Sequence, residues 1–75
     1  MDKSNESSNV KNTIRVERAI LNMTQAELAK QVRVSRQAIN TIETGKYIPS
    51  TTLAIKIAMV FGKKVEDIFT IEEGD

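Results

Sequence analysis

Apolar residues recur along the chain at helical spacing, with cap and turn residues between the runs. Ile14, Arg18 and Leu21 fall on one stripe with Ala19 beside it, which predicts a first helix from about Lys11 to Asn22. Thr24 is a good N-cap, and Glu27 three residues later can complete a capping box. Leu28, Ala29 and Val32 then carry a second helix, and the pattern breaks at Arg33-Val34. Ser35 offers another N-cap for a helix from Arg36 to about Thr44, with Ile39 and Ile42 facing inward and Gly45 at the position that ends it. Pro49 sets an extended loop before the next cap, Ser50. A fourth helix follows over Thr51 to Phe61, with Leu53, Ala54, Ile57, Ala58 and Phe61 inward and Gly62 as its stop. Ile55 and Met59 form a second apolar stripe on its opposite side. Val65 to Phe69 reads as a short fifth helix whose pattern extends to Ile71. The expected fold is therefore all-α, a compact bundle of five short helices. Residues 1–10 read as a disordered leader, 11–71 as the domain and 72–75 as a frayed acidic tail.

The third predicted helix carries the residues of most interest. Arg36, Gln37, Asn40 and Thr41 lie at i, i+1, i+4 and i+5 and so share one side of it. Arg, Gln and Asn can make paired hydrogen bonds to base edges in the DNA major groove. Two short helices joined by a tight turn, the second opening on such residues, have helix-turn-helix geometry. Spacing alone fits a solvated polar helix face equally well.

The segment resembles the phage-repressor and Cro-like helix-turn-helix family, the XRE-type transcriptional regulators, over roughly Ile14 to Phe69. The matching residues are Thr24-Gln25-Ala26-Glu27-Leu28-Ala29, Val34-Ser35-Arg36-Gln37 with Ile39, Ile42-Glu43 with Gly45-Lys46, and Pro49-Ser50. The resemblance implies a lambda-repressor-like DNA-binding domain. It puts Ala29 where the two helices cross and Ile39 at a branched core position. It implies that Arg18 pairs with Glu43 at the end of the recognition helix. Arg33 departs from the pattern, because the family often has glycine there; a positive φ would cost arginine about 1 kcal/mol. The implied function is a sequence-specific transcriptional regulator, most simply a repressor, with Arg36, Gln37, Asn40 and Thr41 on bases. Gln25 and Lys46 would clamp phosphates, Gln25 helped by the N–H groups at its helix start. Tyr47 could bind phosphate through its hydroxyl or cover the core edge. A module this small would bind a palindromic operator as a homodimer. Read from the residues themselves, Ile55, Met59, Phe69 and Ile71 left in water would form an apolar patch fit for that interface; the alternative is that the fifth helix folds back over Ile55 and Met59 within one chain.

Composition narrows the classes. Seventy-five residues make one domain. Cys and His are absent, which removes disulfides, thiolate metal sites and the commonest general base. The net charge is only +1, but residues 11–50 carry seven cations against three acids, 51–64 three cations, and 65–75 five acids. A basic body with an acidic end suits one phosphate-binding face; scattered surface charge for solubility is the alternative. No apolar run is long enough for a membrane, and the first residues lack a signal-peptide core. The expected location is the cytoplasm, on the nucleoid when bound to DNA. With no Gly-rich phosphate loop, metal-ligand cluster or carboxylate dyad, no enzyme activity, cofactor, metal or small-molecule ligand is expected. An antitoxin-like or adaptor module that docks proteins, with DNA binding secondary, is the rival reading.

Overall fold

The computed structural model describes residues 9–72. In order they form β1 (Asn9–Asn12), α1 (Ile14–Ile20), α2 (Gln25–Val32), α3 (Arg36–Glu43), α4 (Thr51–Phe61), α5 (Val65–Ile68) and β2 (Phe69–Glu72). The helix starts follow from side-chain caps. The Thr24 hydroxyl accepts the Glu27 N–H at 3.0 Å while the Thr24 N–H donates to the Glu27 carboxylate at 2.8 Å. Ser35 and Ser50 cap α3 and α4 through the N–H groups of Ala38 and Leu53. These bonds satisfy donors that a helix cannot satisfy internally.

The helix ends share one device. A left-handed residue follows each of α1 to α4, namely Asn22, Arg33, Gly45 and Gly62, with φ between 55° and 80°. The next residue's N–H then reaches back over the last turn: Met23 to Arg18 O, Val34 to Ala29 O, Lys46 to Thr41 O and Lys63 to Ala58 O, at 2.8–3.0 Å. This is the Schellman arrangement. Arg33 adopts it at φ 63° despite its Cβ, so the turn inside the helix-turn-helix carries backbone strain.

Ile14, Leu28, Val32, Ile39, Ile42, Ile57 and Ile68 make a fully buried core drawn from all five helices, with Ala29 and Ala58 buried among them. Leu53, Phe61, Val65 and Phe69 pack half-buried around it. Glu17 is buried too, its carboxylate accepting from Lys63 Nζ at 2.9 Å. That hydrogen bond and the Glu17 charge raise the Lys63 amine above its ordinary pKa.

The helical bundle carries an addition. β1 and β2 pair antiparallel, with Val10 opposite Ile71 and Asn12 opposite Phe69. The first helix is therefore shorter than expected, because Lys11 and Asn12 are strand. Asn9 and Val10 open that strand rather than belonging to a leader, whereas residues 1–8 lie outside the described residues. Phe69 and Ile71 are strand rather than helix, and Glu72 ends the strand; residues 73–75 again lie outside. Asn12 joins the ribbon to the body, its Oδ1 accepting from Ile14 N–H at 3.1 Å and its Nδ2 donating to Ile42 O at 2.9 Å. Leu21, expected on the inner stripe, is half exposed, because α1 ends at Ile20 and its buried side is Ile14 with Glu17.

Candidate nucleic-acid interface

The side of α3 that carries Ile39 and Ile42 is spent in the core, which turns the other side outward. Arg36, Gln37 and Asn40 are exposed there. Thr41 is half-buried, and its hydroxyl donates to the Ala38 carbonyl at 2.9 Å, a bond within its own helix. Beyond Gly45, Lys46 and Tyr47 are both exposed. Tyr47 is not held over the core edge, since 53 % of it meets solvent.

Gln25, the first residue of α2, reaches across to α3. Its Oε1 accepts from Arg36 Nη1 at 3.2 Å. Its Nε2 donates to Asn40 Oδ1 at 3.2 Å and to Glu43 Oε1 at 3.0 Å. The fold thus gathers Gln25, Arg36 and Asn40 into one cluster, a link that spacing along the chain did not reveal. Behind the cluster lies the Glu43 side chain, which has no solvent exposure. Arg18 grips it as a fork, Nε to Oε2 at 2.6 Å and Nη2 to Oε1 at 3.2 Å, and Arg18 Nη1 donates to Met23 O at 2.8 Å. Burial alone would raise the Glu43 pKa. The bonds from Arg18 and Gln25, with the charges of Arg18 and Arg15, outweigh burial and hold it below the usual carboxylate range.

Arg15 joins this region as well. Its Nε lies 3.9 Å from Glu43 Oε1 while most of its side chain is in water, so it offers a cation beside the α2–α3 cluster. Its place three residues before Arg18, on the adjoining turn, was the available signal.

The apolar residues expected to form one interface divide. Ile55 and Phe69 line a groove of about 180 Å³ with Val10, Ile48, Pro49 and Val65. Ile71 is exposed on β2. Met59 instead borders a separate hollow beside Gln31 and Arg33. Among the described residues no group of three or more acidic, His or Cys side chains gathers as a metal site, and no helix is long and apolar enough to cross a membrane.

Comparison with known proteins bears on this geometry. A helix-turn-helix family model matches residues 14–68, from α1 to the end of α5. An HTH-type transcriptional regulator of Methanocaldococcus jannaschii is 53 % identical over 66 residues, covering 88 % of this chain and 100 % of that protein. The ImmF control region 10 kDa protein of Bacillus phage phi105 is 36 % identical over 55 residues, 67 % of this chain and 61 % of its own length. Among solved structures, the clp gene regulator ClgR from Corynebacterium glutamicum superposes with a TM-score of 0.69 at 31 % identity, over 73 % of this chain and 58 % of that one. The matched residues are those that build α1 to α5 and the α2–α3 turn, and the chain belongs to the Cro/C1-type (XRE-type) helix-turn-helix family of transcriptional regulators.

Proposed function

We propose that this protein is a sequence-specific DNA-binding repressor that reads the major groove with α3. The observation that carries the reading is the outward row of Arg36, Gln37 and Asn40 on a helix whose opposite side is locked into the core. Side chains on a rigid element give the fixed geometry that bidentate base contacts need. Thr41 adds its methyl group and hydroxyl oxygen at the edge of that row. Lys46 and Tyr47, just past α3, would meet phosphate on one flank, with Gln25 and Arg15 on the other. The likeness to a phage control-region protein supports a regulatory role, and a domain that only occupies DNA regulates most simply by blocking a promoter.

The DNA would be a palindromic operator in the cytoplasm, bound by a homodimer with half-sites roughly 34–36 Å apart. The groove at Ile55 and Phe69, continued by exposed Ile71, supports a two-fold contact through α4 and the ribbon. Selection of bound sequences from a random duplex pool tests the reading. A palindromic motif should emerge, and a promoter carrying it should be silenced in a reporter assay. A pool that shows no enrichment refutes sequence-specific binding.

A second reading, a protein-docking module of antitoxin or adaptor type, draws on Val16 and Ile20, which face outward on α1 at 58 % and 67 % exposure. It requires that Val16→Glu and Ile20→Glu abolish regulation while operator affinity is kept.

A further inference from the structure

We propose that two adjoining hollows over the C-terminal half of α2 form a docking groove for an acidic, amphipathic helix of a partner protein. The groove draws on no residue of α3, and it shares none with the groove at Ile55 and Phe69.

One hollow, of about 470 Å³, lies between the α2–α3 turn and α4. Arg33 and Lys56 line it together with Met59 and Val60. The other, of about 360 Å³, lies where α1 runs into α2. Leu21 and Met23 line it, with Lys30 and Glu27 opposite. Gln31 borders both, so the two adjoin across α2. Ligand clefts run from roughly 300 to 1,000 Å³, so each hollow is large enough to seat an apolar side chain.

Three observations select the occupant. The first is charge. Lys30, Arg33 and Lys56 are all exposed, and the one acid among the lining residues, Glu27, turns its carboxylate to the Thr24 N–H. The groove is therefore cationic and favours an acidic segment. The second is apolar surface. Met59 is 71 % exposed and Leu21 half exposed, one in each hollow. A phosphate backbone gains nothing from them, whereas a helix with apolar anchors and acidic flanks uses both features. Methionine, unbranched and adaptable, suits such a seat. The third is Arg33 itself. The equivalent left-handed positions after α1, α3 and α4 hold Asn22, Gly45 and Gly62, yet here an arginine takes φ 63°. Strained residues gather at ligand clamps, and a guanidinium at this point offers paired donors to a carboxylate. A second copy of the chain is a poorer match, because its exposed acids Glu66 and Asp67 sit on a four-residue helix beside Lys63 and Lys64.

Fluorescence anisotropy tests this with a labelled helical peptide that carries leucine on one side and glutamate on its flanks, and with a second peptide in which lysine replaces each glutamate. Wild type should bind the acidic peptide saturably, one per chain, and about tenfold or more tighter than the basic one. Lys30→Gln with Lys56→Gln, and separately Met59→Glu, should each weaken the acidic peptide about tenfold or more. Lys11→Gln with Lys64→Gln, an equal change of charge elsewhere on the surface, should leave it unchanged. Circular dichroism checks that every variant is folded. No saturable binding, equal affinity for the two peptides, or folded groove variants that keep the wild-type affinity would overturn the proposal. A loss of random-DNA affinity in the Lys30→Gln, Lys56→Gln variant would reassign those cations to phosphate. Dissociation of the dimer by Met59→Glu in sedimentation would reassign the hollow to a second copy. Either result overturns the docking groove and leaves DNA reading by α3 standing.

Discussion

Removing Arg18 alone should take away a large share of the protein's stability. Arg18→Met leaves the Glu43 carboxylate, at zero exposure, with one hydrogen bond from Gln25 and a single cation 3.9 Å away at Arg15. It also strips the Met23 carbonyl of its donor. Stranding one member of a buried pair typically costs about 3–5 kcal/mol. For a chain of 75 residues the whole stability is roughly 4–11 kcal/mol. Glu43→Leu should sit toward the lower end of that loss, because the Arg18 side chain is 15 % exposed and can move its head toward water. Arg18→Met with Glu43→Leu leaves no stranded charge, so the double variant should fall within about 1 kcal/mol of wild type. Urea unfolding followed by circular dichroism across all four proteins gives the coupling energy, expected at about 3 kcal/mol or more. Single changes that each cost under about 1 kcal/mol, and that add in the double variant, would refute a buried, mutually dependent pair.

Other outcomes follow from the same structure. Glu43 has a lower pKa folded than unfolded, so its contribution is complete above the unfolded value near ~4.3 and fades as pH falls through the folded one; urea midpoints should drop on acidification in wild type and drop less in the Arg18→Met, Glu43→Leu variant. Arg33→Gly should stabilise by about 0.5–1 kcal/mol, since relief of the left-handed strain exceeds the added freedom of the unfolded chain, and an unchanged or lower midpoint contradicts this. Gln37→Ala should weaken operator binding by about 1–3 kcal/mol and random DNA little, whereas Lys46→Ala should weaken both and flatten the salt dependence; equal losses for Gln37→Ala would exclude it as a base reader. Ile71→Glu should raise the dimer dissociation constant about tenfold or more with the monomer still folded, and sedimentation showing a wild-type monomer at high concentration with tight operator binding would rule the dimer out. Phe69 is a worse probe of that surface, because it packs against the core.

What could be read from the chain beforehand depended on how far each signal reached. The caps at Thr24, Ser35 and Ser50 and the stops at Gly45 and Gly62 are decided within about four residues, and the structure has them all. The ribbon leaves no local signal, because its strands come from opposite ends of the domain. Phe69-Thr70-Ile71-Glu72 does alternate apolar and polar, the strand period, but four residues after a helical run are easily taken for its continuation. Asn9 to Asn12 holds one apolar residue and gave no period at all. The candidate reading residues were visible as a row on α3, yet their tie to Gln25 was not. A glutamine at a helix start can face water, phosphate or a neighbour, and only the crossing of α2 over α3 selects among these.

The placement of α1 shows why polar bonds matter so much in this core. Ile14 is the one fully buried apolar side chain of α1, and a single such anchor leaves a seven-residue helix free to roll about its axis. Rolling would change the direction of every side chain it presents to α2 and α3. Adjacent residues on a helix point about 100° apart, so Glu17 and Arg18 leave α1 on two different sides. Glu17 is held by Lys63 at the start of the segment leading into α5, and Arg18 by Glu43 at the end of α3. At its N-terminal end, the Thr13 N–H donates to Ile68 O, and Asn12 bonds to both Ile14 and Ile42. Hydrogen bonds are directional where apolar contact is not. The hydrophobic core therefore sets how close the helices lie, while these few polar contacts set the rotation of α1 and link it, through Glu43 and Gln25, to Arg36 and Asn40 on α3.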